Sequence, residues 1–154
     1  MSNFLKCLIA LVFAVSCVSV QPVEAAELSA EDHAEINQLY ARYVQAIDRG
    51  DAIVWADAFT PTGSFGDSVT GRDALLAFAE RYHEENGNEP RHWYNALVLT
   101  STADGAEGAC YAVTFNSSTG SLMWTGTYKD VLVKTSEGWR FSSRQLTIDP
   151  ANNE

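Results

Sequence analysis

The hydrophobic period of this chain changes once, and that change limits the folds open to it. Between residues 29 and about 83, apolar side chains recur at helical spacing; from residue 91 to 148 they alternate with a period of two. Ile36, Leu39, Tyr40, Tyr43, Val44 and Ile47 form one helical stripe that must face a core. Gly50 stops that helix, and Asp51 caps a short second one over residues 52–59. Thr60-Pro61-Thr62-Gly63 reads as a turn into a short strand through Ser64 and Phe65. A third helix runs from Arg72 to about His83 with Leu75, Leu76, Ala79 and Tyr82 inward, and residues 84–90 read as a polar loop. Beyond it, residues 91–100, 108–115, 122–134 and 139–148 read as long strands, joined as hairpins at the turn signals Asp104-Gly105, Ser117 to Gly120 and Ser136 to Gly138. Three helices followed by an antiparallel meander make an α+β domain whose sheet buries one face against the helices.

The first 25 residues read differently. Lys6 precedes an apolar run over residues 7–20, too short for a comfortable membrane span, and Val23-Glu24-Ala25 offers the small or uncharged residues that a signal peptidase reads. We expect a secretory signal peptide cleaved after Ala25; the rival is lipidation at Cys17, since Val15-Ser16-Cys17 resembles the end of a lipoprotein box, although Ala14 stands where Leu is usual. Either route predicts a secreted or periplasmic protein with no transmembrane segment after cleavage. Residues 26–154 then form a single domain with its core over residues 29–149.

The leader carries one charge of each sign, Lys6 and Glu24, so the mature chain keeps the net charge of −10. Such an acidic chain argues against nucleic acid as a partner. Of three cysteines only Cys110 survives cleavage, which excludes an intrachain disulfide, and its position in a strand predicts a small buried side chain.

Asp48 stands out on the first helix. It follows Val44 by four positions, beside the apolar stripe, where the partial negative charge of the helix C-terminus disfavours a carboxylate by about 0.3–1 kcal/mol. One reading is a rim residue, solvated or paired with Arg49 or another cation. The other pairs it with His92, at the start of the first long strand. Alternation puts His92 with Tyr94, Ala96 and Val98 on one face and Trp93, Asn95, Leu97 and Leu99 on the other. A lone histidine there is ordinarily a core residue with one hydrogen bond; a carboxylate on one ring nitrogen makes the other a better base.

Other constellations are weak. His33, His83 and His92 lack metal-ligand spacing, so no metal is expected, and the first two read as structural or exposed. No nucleotide-binding glycine loop is present, so no cofactor is expected. Asn116-Ser117-Ser118 fits a glycosylation sequon and equally a turn.

Several motifs taken in order resemble the SnoaL-like branch of the cone-shaped NTF2-like superfamily, the branch of scytalone dehydratase and bile-acid 7α-dehydratase. These are Leu39-Tyr40-Ala41-Arg42-Tyr43 followed by Ala46-Ile47-Asp48-Arg49-Gly50-Asp51, Trp55-Ala56-Asp57-Ala58-Phe59, Gly63-Ser64-Phe65, Gly71-Arg72-Asp73-Ala74-Leu75, Arg91-His92-Trp93-Tyr94-Asn95, Gly126-Thr127-Tyr128-Lys129-Asp130 and Gly138-Trp139-Arg140-Phe141, with Arg144 beyond. The resemblance covers residues 29–149. It implies a cone of three helices on a curved antiparallel sheet, and a catalytic dyad of His92 and Asp48 with Tyr43 beside it. An aromatic on the helix stripe such as Tyr43 is otherwise a core residue. The mouth of such a cone, for which Tyr40, Trp55, Tyr94 and Tyr128 are the lining candidates, suits a small hydrophobic ligand such as a polyketide, steroid or aromatic.

Three functions follow as expectations. The first is a cofactor-independent dehydratase, lyase or isomerase; the second is a non-catalytic small-molecule-binding module; the third is a structural or assembly subunit. Three helices cover only one face of a four-stranded sheet, so a homo-oligomer, dimer or trimer, through the other face is also expected, with Trp93, Leu97 and Leu99 outward, or their opposites if the two faces are exchanged.

Overall fold

A computed structural model describes residues 26–150. Helix α1 spans Ala30–Arg49 and opens with a capping box: the Ser29 hydroxyl accepts from the Asp32 amide, and the Asp32 carboxylate accepts from the Ser29 amide. Lys134 and the Trp139 indole also donate to Asp32. These bonds hold the Asp32 carboxyl well below the usual carboxylate range, Lys134 first and Ser29 second, and tie the start of α1 to the far hairpin of the sheet. The helix ends at Gly50, whose φ of 72° is left-handed, with its amide donating to the carbonyls of Ala46 and Ile47. A Cβ at Gly50 would also come within 2.6 Å of the His83 ring, so glycine is needed for the turn and for close packing.

Helix α2 covers Ala52–Ala56, capped by Asp51, and strand β1 covers Phe59–Phe65. The expected turn at Thr60 to Gly63 is therefore strand, and Phe59 belongs to it rather than to the second helix. Pro61 is accommodated because the pairing of β1 with its neighbour is irregular between Phe59 and Ser64, where a missing N–H costs no ladder bond. The short strand β2, Val69–Thr70, follows, and then helix α3, Arg72–Asn86, three residues longer than expected. The long strands are β3 (Pro90–Thr102), β4 (Gly105–Asn116), β5 (Leu122–Thr135) and β6 (Gly138–Ile148). At the β4–β5 turn Asn116 accepts from the amides of Ser118 and Thr119, so the sequon asparagine is spent on an Asx turn.

All six strands form one sheet in the order β2-β1-β6-β5-β4-β3, with α1 packed against β3 and β6. The α+β class is as expected, but the sheet is mixed, because β1 runs parallel to β6. Bulges curve it. On β3 the step from Asn95 to Val98 faces only Tyr111 to Ala109 on β4, one extra residue, and Ala96 takes a φ of 53° there. Alternation is reversed past that point. His92, Tyr94, Leu97 and Leu99 are half-buried on the inner face, whereas Trp93 and Val98 are 62% and 64% exposed on the outer one. The outward assignment of Leu97 and Leu99, and the inward one of Val98, are thus corrected by a single bulge; that of Trp93 stands. A second bulge on β6, between Phe141 and Ser143, puts both Phe141 and Arg144 inside.

The core between α1 and the sheet is largely aromatic. Tyr43 meets Trp55, Phe59 and Phe141 at ring-centroid distances of 5.4, 6.0 and 5.5 Å. Cys110 is buried and unpaired, and burial pushes its thiol up to about 11, which keeps it protonated. No helix among the described residues is long and apolar enough to cross a membrane. The leader and the Cys17 alternative fall outside the described residues.

Candidate functional site

The last turn of α1 and the first residues of β3 meet beside a cavity between the helices and the sheet. Asp48 is 4% exposed, and its Oδ1 lies 2.5 Å from Nδ1 of His92, whose side chain is 8% exposed. Both carboxylate oxygens also lie 3.2 Å from the His92 amide, and Arg91 approaches Oδ2 at 3.8 Å. Asp48 is therefore neither a solvated rim residue nor a partner of Arg49. Its place near the negative end of α1 is offset by three donors from one short stretch of β3. A carboxylate only accepts, so Nδ1 of His92 carries the hydrogen and, in the neutral ring, Nε2 keeps its lone pair.

Nε2 sits beside Tyr82, whose hydroxyl is 3.4 Å away. Burial first, and the Asp48 charge second, push that phenol up to about 12, so it remains a donor. His92 and Tyr82 line a cavity of about 160 Å³ between helices and sheet. Its aromatic wall is Tyr43, Trp55, Phe65, Phe78, Trp124 and Tyr128, completed by Ile47, Leu146 and Ile148. A wider depression of about 450 Å³ lies on the outer face of the sheet around Val98, Thr100 and Lys129, away from the dyad.

Of the residues singled out in the sequence, His92 and Asp48 are in contact, and Tyr43, Trp55 and Tyr128 share the cavity wall with His92. Tyr40 and Tyr94 are not. The Tyr94 hydroxyl donates to the Asn37 carbonyl, and Tyr40 is fully buried with its hydroxyl on Asp130. Tyr82, Phe65, Phe78 and Trp124 were missed as lining residues; the inward parity of Tyr82 on α3 was the available signal.

Behind the cavity lies a second polar centre. Arg144 is 0% exposed, with its guanidinium carbon 3.8 Å from the Tyr128 ring centroid, 4.3 Å from Tyr43, 4.5 Å from Phe141 and 4.8 Å from Tyr40. Its Nε is 3.5 Å from Oδ1 of Asp130, and no guanidinium nitrogen has a hydrogen-bonded partner among the described residues. Burial is the largest single influence and works against the charge on Arg144, but Asp130 together with Tyr43, Tyr128 and Tyr40 outweighs it, so the arginine stays protonated. Burial likewise pushes Asp130 upward, opposed by Arg144 and the Tyr40 hydroxyl. Gly108 makes this possible, since a Cβ there would occupy the place of the Tyr40 hydroxyl. Burial also raises the phenols of Tyr43 and Tyr128 above their ordinary value. Both stay donors. Among the described residues no cluster of three His, Cys, Asp or Glu side chains could hold a metal ion.

Comparison with known proteins places this arrangement. A protein of unknown function with a cystatin-like fold from Nostoc punctiforme superposes with a TM-score of 0.76 at 22% identity, over 82% of this chain and 97% of that one, a likeness of fold. ActVI-ORFA from Streptomyces coelicolor gives a TM-score of 0.67 at 25% identity, over 80% and 99% of the two chains. A structure from Catenulispora acidiphila in complex with S-DNPA gives 0.69 at 27% identity, over 79% and 96%. No curated protein matches. The sequence model of the SnoaL-like domain matches residues 28–145, most of the chain, and the three-helix, six-strand architecture agrees with it. The chain belongs to the SnoaL-like domain family.

Proposed function

We propose that the cavity binds a small hydrophobic molecule and that His92 acts on it as a general base, oriented by Asp48, in a cofactor-independent elimination or isomerisation. The 2.5 Å contact between Asp48 and Nδ1 of His92, on the wall of an otherwise apolar cavity, carries this reading. The SnoaL-like match and the S-DNPA complex of a relative support small-molecule binding by the fold.

In the proposed step, Nε2 removes a proton from a carbon next to a carbonyl, and the bonding electron pair moves onto the carbonyl oxygen. Asp48 stabilises the imidazolium. Tyr82, Tyr43 or Tyr128, all kept protonated by burial, donates a hydrogen bond to the enolate. Return of the proton to a β-hydroxyl then releases water, and return to another carbon isomerises the substrate. The test is exchange of the α-protons of a cyclic ketone in deuterated water, followed by NMR. The protein should accelerate it, and a rate equal to that of buffer would reject proton abstraction here.

The leader supports export to the periplasm or the medium as part of the same proposal. The outer sheet face supports pairing with a second copy of the chain, since Trp93, Val98, Tyr111 and Val131 are exposed together on β3, β4 and β5. Light scattering at micromolar concentration should then report more than the monomer mass; a strict monomer would contradict it.

A further inference from the structure

The pocket that holds His92 is small, its aromatic walls brace one another, and it opens to solvent past Ile148, which is 55% exposed. A cavity of about 150 Å³ lined by Leu, Ile and Phe holds one benzene ring, whereas drug-sized ligands occupy about 300–1,000 Å³. Here the space is about 160 Å³. Its rings brace one another: Trp55 stacks on Phe78 at 5.4 Å, Phe65 meets Phe78 at 5.1 Å, and His92 meets the edge of Trp124 at 5.6 Å. Arg144 clamps Tyr43 and Tyr128 from behind, at 4.3 and 3.8 Å. Widening the cavity would mean separating several of these contacts at once.

We infer that the part of the ligand held beside His92 and Tyr82 is a single ring of about six to ten non-hydrogen atoms bearing one oxygen, and that fused polycyclic molecules fit this site poorly. The assignment rests on the proposed role of the cavity as the ligand site. The apolar wall takes the ring by shape. The two polar groups, 3.4 Å apart, take the oxygen or the carbon next to it.

Calorimetric titration with 4-methylphenol, 2-naphthol and estradiol, phenols of one, two and four rings, tests it. The expected order is binding of 4-methylphenol, at least roughly tenfold weaker binding of 2-naphthol and none of estradiol. Phe78→Ala, or Leu146→Ala if the first variant folds poorly, should open the cavity and recover 2-naphthol selectively. Binding of 2-naphthol or estradiol as tight as that of 4-methylphenol, weakened by Trp124→Ala, would overturn the size limit and leave the ligand site in place. Binding by none of the three, or binding of 4-methylphenol that neither Trp124→Ala nor His92→Ala alters, would overturn both the size limit and the reading of the cavity as the site.

Discussion

Arg144→Met will destabilise the fold by roughly 3–5 kcal/mol, because it leaves the buried Asp130 carboxylate without its cation and removes the charge over which four rings are packed. For a domain of this size that lowers the thermal midpoint by more than about 10 °C. Asp130→Asn in the same chain should recover part of the loss, since the uncompensated charge disappears while the Tyr40 hydroxyl keeps an acceptor. Calorimetry of the two single variants and the double variant measures this coupling. Additive losses would mean that the two groups do not act as a pair.

His92→Ala will act on chemistry far more than on stability. Exchange of ketone α-protons should fall by roughly 10²–10⁴-fold, the usual contribution of a positioned general base. The cost to the fold should stay near 1–3 kcal/mol, because Asp48 keeps the amide of residue 92 and Arg91 after the imidazole is gone. Equal exchange by parent and variant, with stability lost, would make His92 a structural residue. Under the proposed function the contrast would separate the two polar centres, with Arg144 acting on the fold and His92 on the ligand.

How much of this was legible in the sequence depended on local regularity. The helix stripe fixed the inward side of α1, and Asp48 stood out because a carboxylate near the last turn opposes the helix dipole. Its pairing with His92 was foreseeable from resemblance, since spacing alone does not say that a helix end meets a strand start 44 residues later. Wherever a strand was read as unbroken alternation, a bulge shifted the result. One extra residue near Ala96 brought Leu97 and Leu99 inside. Another near Ser142 brought in Arg144, which alternation from Trp139 and Phe141 would have turned outward. Neither Asp130 nor Arg144 was read as a buried charge, because Val131 and Val133 make the opposite parity of β5 as apolar as that of Tyr128 and Leu132. Phe65 read as strand, but only the last two residues of β1 did, because the proline and glycine before them read as a turn, and so short a strand did not show which way Phe65 faces.

The most direct test of the dyad is ¹⁵N NMR of the histidine rings in the intact protein at neutral pH, with and without 4-methylphenol. The neutral His92 ring should carry its hydrogen on Nδ1, toward Asp48, and show an unprotonated Nε2 whose resonance moves when the phenol binds, while exposed His33 stays unchanged. A hydrogen on Nε2 in the free protein, or a His92 ring indifferent to a phenol that binds, would contradict the assignment of this residue as the base of a ligand site.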